Sequence, residues 1–301
     1  MPQVFPDGVV DMAVVRDFVV RAEDLGYHSL WVEEQIIGPA PVLEPVALLS
    51  YVAAVTRDIK IGTAIVVLST RNPILLAKQM ATLDAMSGGR LIAGLALGDR
   101  PRDYRPLGGP SSRRVRHFLE SLDVMRALWS EEEVDFDGHY WRLKGATLAP
   151  RPVQQPIPVW FGGRHPDGLR RAADHGDGWI GLGFTTAAQF GDHVEILRRR
   201  MDETGRDPAT FVVSKRVYVA VDDDETRAER RLRGWFDARD GRAGLGSQVS
   251  VRGSAEQCVE GLQRVVDSGA QMLMLNQVFD HMEQLERLAN DVVPHLRPGA
   301  G

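Results

Sequence analysis

Lys60-Ile-Gly-Thr-Ala-Ile-Val-Val67 and Leu91-Ile-Ala-Gly-Leu-Ala-Leu97 are two nearly continuous apolar runs, and the stretch between them reads as a helix. Asn72 can cap that helix, Pro73 suits its first position, Leu76, Met80 and Leu83 share a face, and Gly88-Gly89 end it. Strands apolar on both faces belong to a parallel sheet covered by helices. Outward from this unit the alternation continues. Ser29-Leu-Trp-Val-Glu33 precedes it, while Pro158-Val-Trp-Phe161, Gly178-Trp-Ile-Gly181, Phe211 to Val221 and Gln271-Met-Leu-Met-Leu-Asn276 follow it as strands. Helical periodicity fills the gaps: Asp11 to Leu25; Val115, Phe118, Leu122, Met125 and Trp129; and a capping box at Ser254 and Gln257 opening Cys258 to Ser268. Met282 to Leu296 closes the chain as a last helix.

Eight βα units make a (β/α)8 barrel, and the seven strands found here are one short. Met1 to Phe5 is the candidate for the first, short or clipped and broken by Pro2. The expected fold is therefore an α/β TIM barrel filling residues 1–301 as a single domain, since no Pro/Gly-rich segment is long enough for a linker. Gly98 to Arg113 and Glu131 to Ile157 are read as insertions at the C-terminal face.

Composition narrows the function. The chain has 301 residues, 44% of them hydrophobic, enough for a real core and too many for a disordered protein. A net charge of -5 argues against a nucleic-acid or acidic-membrane binder, leaving a small-molecule substrate as the expected partner. Cys258 is the only cysteine, so neither an intrachain disulfide nor a multi-thiolate metal site can form, which suits a cytoplasmic setting. The histidines show no metal-binding spacing next to a suitable acid, and no metal centre is expected. No apolar run reaches the roughly 20 residues of a membrane span, and Met1 to Gly8 lacks the pattern of a secretion signal.

Ala22-Glu-Asp-Leu-Gly-Tyr-His-Ser-Leu-Trp-Val-Glu-Glu-Gln35 resembles the bacterial luciferase-like monooxygenase family of flavin- and deazaflavin-dependent oxidoreductases. So do Ile61-Gly-Thr-Ala64, Arg71-Asn-Pro73, Leu83 to Leu91, Gly94-Leu-Ala-Leu-Gly-Asp99, Ala172 to Ile180 and Gly205-Arg-Asp-Pro208, in order along nearly the whole chain. The resemblance implies a TIM barrel holding FMN or coenzyme F420 at the C-terminal strand ends. It also implies a bulge with a non-proline cis peptide behind the ring shortly after Gly62-Thr63, here at Ala64-Ile65. Many relatives place histidine after the acid that ends the second strand. This chain has Gln35 after Glu34, and a glutamine hydrogen-bonds but does not exchange protons near neutral pH.

Phe161-Gly-Gly-Arg-His-Pro-Asp167 joins a strand to a helix and is a candidate phosphate cradle, with glycine backbone and a helix N-terminus facing an anion and Arg164 and His165 adding charge. An ordinary βα turn is the competing reading. The candidate cofactor-binding residues are Thr63, Ala64, Ile65, Arg71, Gly98, Gly162, Gly163, Arg164, His165 and Gly181; the candidate catalytic residues are Glu34, Gln35 and Asp99. Glu34 can equally be a solvated loop acid, Asp99 a turn cap, and Arg71 a partner in a surface salt bridge.

The leading function is hydride transfer with coenzyme F420 on a small organic molecule. FMN-dependent monooxygenation is the alternative, and a non-catalytic cofactor- or ligand-binding relative is an alternative of another class. A sugar-phosphate lyase or isomerase would need a lysine or metal cluster at the strand ends. A homodimer is expected through Pro45 to Val55 and Pro73 to Met86, where Leu48, Leu49, Val52, Ile74, Leu75 and Met80 exceed what one buried stripe requires.

Overall fold

The Pro73 helix follows its sequence signals closely. Asn72 accepts the N–H groups of Ile74 and Leu75, and Gly88 closes the far end at φ 67°, a left-handed position that glycine adopts without steric cost. The structure, a computed structural model, describes residues 1–5, 8–38, 40–98, 106–110, 112–241 and 243–299. They group into two compact units, His28–Gly162, and Met1–Tyr27 with Gly163–Gly301.

In chain order the elements are α1 (Met12–Asp24), β1 (Ser29–Val32), α2 (Pro45–Val55), β2 (Lys60–Thr63), β3 (Val66–Val67), α3 (Pro73–Ser87), β4 (Leu91–Ala96), α4 (Arg114–Ser130), β5 (Val134–Asp137), β6 (Arg142–Ala146) and β7 (Val159–Gly162). There follow α5 (Pro166–His175), β8 (Gly178–Gly181), α6 (Ala187–Thr204), β9 (Val212–Val221), α7 (Glu225–Asp240), α8 (Ala243–Val249), β10 (Val251–Gly253), α9 (Ala255–Asp267), β11 (Met272–Asn276) and α10 (His281–Arg287).

In the His28–Gly162 unit, β1, β2, β4 and β7 pair in parallel in that order, with Val32 opposite Thr63, Ile61 opposite Leu91 and Leu95 opposite Phe161. The run Lys60 to Val67 is not one strand: it breaks at Ala64-Ile65, a cis peptide, and resumes as β3 alongside β4. Trp31 and Trp160 stack with ring centroids 5.2 Å apart, and a Cβ on Gly62 would collide with the Trp31 ring. The segment Glu131 to Ile157 contains an antiparallel hairpin, β5 with β6, whose register shifts between Val134 and Phe136.

In the other unit β8, β10 and β11 all pair with β9 in parallel, with Gly181 opposite Lys215, Val251 opposite Val219 and Met272 opposite Ser214. The Ser254–Gln257 capping box forms as read. Met1 to Phe5 holds a single bridging residue, Val4, rather than a strand. The closing helix is shorter than expected: after α10 the chain turns through a π turn (Leu288–Val292) and a 3-10 turn (Val293–His295), because Pro294 has no N–H to continue an α-helix. Asp222 opens the acidic run Asp222-Asp-Asp-Glu225, yet it is buried and accepts both Nε and Nη2 of Arg227 at 2.9 and 2.6 Å. Cys258 is buried on α9, and burial pushes its thiol up to about 12.

Leu48, Leu49, Val52 and Met80 are all buried, so α2 and α3 spend those side chains on their own core. The apolar surface that remains in this unit includes Ile36, Ile37, Ile74, Leu75 and Met86.

Arg90 welds the ends of two helices. It is buried, and its guanidinium donates to Ala53 O, Thr56 O, Ile59 O and Ser87 O at 2.6 to 3.1 Å, as well as to Thr56 Oγ1. The carbonyls at the C-termini of α2 and α3 have no helical partners of their own, and a cation there also matches the helix dipoles. Arg90→Met leaves those carbonyls buried and unpaired. It should lower stability by about 3 kcal/mol, read as an earlier midpoint in urea unfolding.

Candidate functional site

Glu34 follows β1 and is where the sequence reading placed an acid. Its side chain is 2% exposed, and the carboxylate is fully engaged. Oε2 accepts the Val67 N–H at 2.8 Å, and Oε1 accepts Arg71 Nε at 2.9 Å together with Arg71 Nη2. The same Nη2 reaches Glu44 Oε1 at 2.9 Å, while Glu44 Oε2 caps α2 by accepting the Ala47 N–H at 2.7 Å. One chain of charge-assisted bonds thus joins the end of β1, the start of α2, β3 and the residue before the α3 cap.

Burial raises the Glu34 carboxyl above its ordinary pKa, against the downward pull of the Arg71 charge and the Val67 N–H. Burial works against the charge on Arg71 as well, but Glu34 and Glu44 outweigh it and hold the guanidinium above its usual value. Arg71 is therefore a half-buried ion-pair partner, its side chain 16% exposed, rather than a surface one.

Gln35, Arg71 and Glu34 line a cavity of ≈ 430 Å³ with Ile36, Thr70 and Leu75. Gln35 packs directly on Gly38, where a Cβ would overlap its side-chain amide. Thr63 lies at the end of β2 with its hydroxyl committed: Oγ1 donates to Gly94 O at 2.7 Å and accepts Gly94 N–H at 2.9 Å. Ile65, beyond the cis bond, leans on Gly162, where a Cβ would sit 2.9 Å from Ile65 Cγ2. Ser69, two residues past β3, keeps a buried hydroxyl with no partner among the described residues. Gly98 ends the β4 segment at φ 79°, and its carbonyl accepts Arg114 Nη2 at 2.6 Å, as does that of Leu97 at 3.0 Å. Asp99 lies outside the described residues.

In the unit containing Gly163–Gly301, Gly163 has φ 151°, a glycine conformation, and nothing lies within 4 Å of where a side chain would begin. Arg164 is exposed and has no hydrogen-bond or ion-pair partner among the described residues. His165 is spent differently from the reading above: its Nδ1 accepts the Asp167 N–H at 3.3 Å, making it the N-cap of α5. Trp179 Nε1 donates to Gly163 O at 2.9 Å. Gly181 packs under Phe190, which a Cβ would meet at 2.7 Å, so packing alone already requires glycine there.

Two polar residues escaped the sequence reading: Glu44 and Arg114 sit in loop and helix-start contexts that look solvated. Lys215, a lysine near the opening end of its strand, interrupts the apolar β9 pattern, and the structure buries it.

The Glu34–Arg71 pair gives a direct expectation. Glu34→Gln keeps the shape and removes the charge, leaving Arg71 half-paired in a buried place. Stability at pH 7 should fall by about 3 kcal/mol in urea unfolding, and an unchanged midpoint would mean the pair does not form.

Comparison with known proteins extends the picture. A family model described as luciferase-like monooxygenase matches residues 5–272. The F420-dependent glucose-6-phosphate dehydrogenase of Kineococcus radiotolerans is 29% identical over 233 residues, covering 73% of this chain and 68% of that protein. An F420-dependent secondary alcohol dehydrogenase, solved with an F420-acetone adduct, superposes with a TM-score of 0.84 at 22% identity over 96% of both chains. The FMN-bound oxygenating constituent of 3,6-diketocamphane monooxygenase from Pseudomonas putida superposes with a TM-score of 0.79 at 19% identity, covering 95% of this chain and 93% of that one. The fold is accordingly the luciferase-like TIM barrel, and the chain belongs to the luciferase-like monooxygenase family.

Proposed function

We propose that this luciferase-like oxidoreductase seats a flavin-type cofactor, coenzyme F420 first and FMN as the alternative, and uses it to transfer a hydride to or from a small organic substrate. The observation that carries the reading is the open corner at Gly163 with the unpartnered, exposed Arg164 beside it. Both cofactors carry a phosphate, and a glycine that leaves space next to a free guanidinium at a helix start suits that anion. The F420-dependent relatives favour the deazaflavin.

Within this reading Gly163 and Arg164 hold the phosphate. In the His28–Gly162 unit, Ala64, Ile65 and Gly162 are the residues that the family resemblance assigns to the ring. The orphaned Ser69 hydroxyl fits a site that a polar ligand completes. When bound, the cofactor supplies the two-electron chemistry. Gln35 donates and accepts hydrogen bonds without moving protons. Glu34 holds Arg71 and the β3 backbone in place, and Asp99 is the carboxylate left to carry a proton. The same reading takes residues 1–301 as one domain, in keeping with one family model running from 5 to 272. The same reading takes the protein to be cytoplasmic, in keeping with its single cysteine. Among the described residues no helix is long and apolar enough to cross a membrane.

We also propose a two-fold homodimer. Ile37 and Leu75 are 64% and 60% exposed, and Ile36 and Leu75 line the same cavity, which makes a contiguous apolar patch.

Titrating the purified protein with F420 and with FMN, followed by fluorescence quenching, should show binding in the micromolar range, tighter for F420. Arg164→Ala should weaken it about tenfold, a loss of about 1.4 kcal/mol. Tighter FMN binding, with oxygen consumed during turnover, would move the assignment to monooxygenation; binding without turnover over a broad substrate panel would point to a carrier. Light scattering should give twice the chain mass, and Leu75→Glu should return it to one.

A further inference from the structure

The segment between β8 and α6 is tied down from inside by a lysine. Lys215 stands on β9 opposite Gly181 of β8 and Leu273 of β11, and it is 2% exposed. Its ammonium donates to the Leu182 carbonyl, to the Thr185 carbonyl at 3.0 Å and to Thr185 Oγ1 at 2.9 Å. The Thr185 hydroxyl in turn donates to Leu182 O at 2.9 Å. All three acceptors are neutral, and no carboxylate pairs with the amine among the described residues. The charged and titratable groups that act on it electrostatically are Arg216, the next residue on its own strand, and His193 of α6; β8 and β11 bring none. The Phe190 ring of α6 lies 5.8 Å from Nζ.

A buried cation with neutral partners is costly compared with an apolar side chain of the same length. What it secures lies next to the proposed phosphate seat. Trp179 of β8 donates to Gly163 O, stacks on Phe190 at 5.4 Å and meets His193 edge-on at 5.9 Å. Arg164 and Lys215 both act on the charge of His193. Gly183 is pressed against the Tyr218 ring, which a Cβ would meet at 2.6 Å, so the segment has little slack of its own.

We propose that Lys215 is a positioning residue of the cofactor site: its ammonium fixes the 182–186 segment in the conformation that lets Gly163 and Arg164 seat the cofactor phosphate. This rests on the cofactor reading above. An ammonium offers three hydrogens to its three acceptors; the free amine offers two and must release one. Burial, reinforced by Arg216, brings Lys215 down to about 7. The segment is fully tied below that pH and loosens above it, so phosphate affinity falls as pH rises.

The test measures FMN and F420 affinity from pH 6 to 9 in the full-length protein. Wild type should lose about tenfold over this range. Lys215→Met should bind about tenfold more weakly at pH 6 and show no such loss, and amides 182–186 should exchange faster in the cofactor-free variant after correction for intrinsic rates. Thr185→Val, which keeps the volume and removes one acceptor, should shift the wild-type midpoint to lower pH; it serves if Lys215→Met fails to fold. Wild-type affinity and pH profile in either folded variant would overturn the role of Lys215 alone. No binding of either cofactor by wild type at any pH would overturn the cofactor reading and this proposal together.

Discussion

The Glu34 carboxylate is the group on which the geometry of the His28–Gly162 unit turns. It is buried at the end of a strand, where an unpaired charge would cost several kcal/mol, and its two oxygens are met by a backbone N–H and a guanidinium. Those two donors come from the far side of the break at Ala64-Ile65. A single side chain thereby sets how β3 restarts after β2 stops, and where α3 begins. Arg71 carries the constraint onward, because its fork also takes Glu44, and Glu44 caps α2. A lysine could not replace it, having one donor nitrogen rather than a planar fork. Gln35 and Thr70 line the cavity at positions that this network fixes.

The alternation of strand and helix was open to reading because burial on both faces leaves a strong mark: β4 is apolar through all of Leu91–Ala96, and the α3 caps are local signals. Elements without that mark were hidden. The β5–β6 hairpin carries Asp, Lys and Gly on half-exposed strands, and β10 is three residues long. Site positions were legible where the resemblance named a local motif, as at Gly162 and Gly163. Partnerships were not. Glu34 finds Arg71 only after the chain has gone through α2 and β2, and nothing local distinguishes a pocket acid from an ion-paired one. His165 looked like a cation near a phosphate, yet its ring serves as a helix cap.

Arg90 and Lys215 solve one problem in two places. Parallel βα architecture leaves carbonyls at helix ends and strand ends pointing into the shell, where neither ladder nor water satisfies them. In each unit a long basic side chain gathers several of these oxygens at once. Arg90 does so with a charge that never titrates, which suits a permanent weld, whereas Lys215 does so with a group close to its own midpoint at neutral pH.

Cys258 opens a practical route into the molecule. Its thiol is buried, weakly bonded to the Ala220 and Gly253 carbonyls, and protonated far above neutral pH, so alkylating reagents have nothing to attack in the folded chain. A cysteine introduced on an exposed loop would then be the sole reactive sulfur. A spin label or dye could be placed at one chosen atom without first removing a native residue.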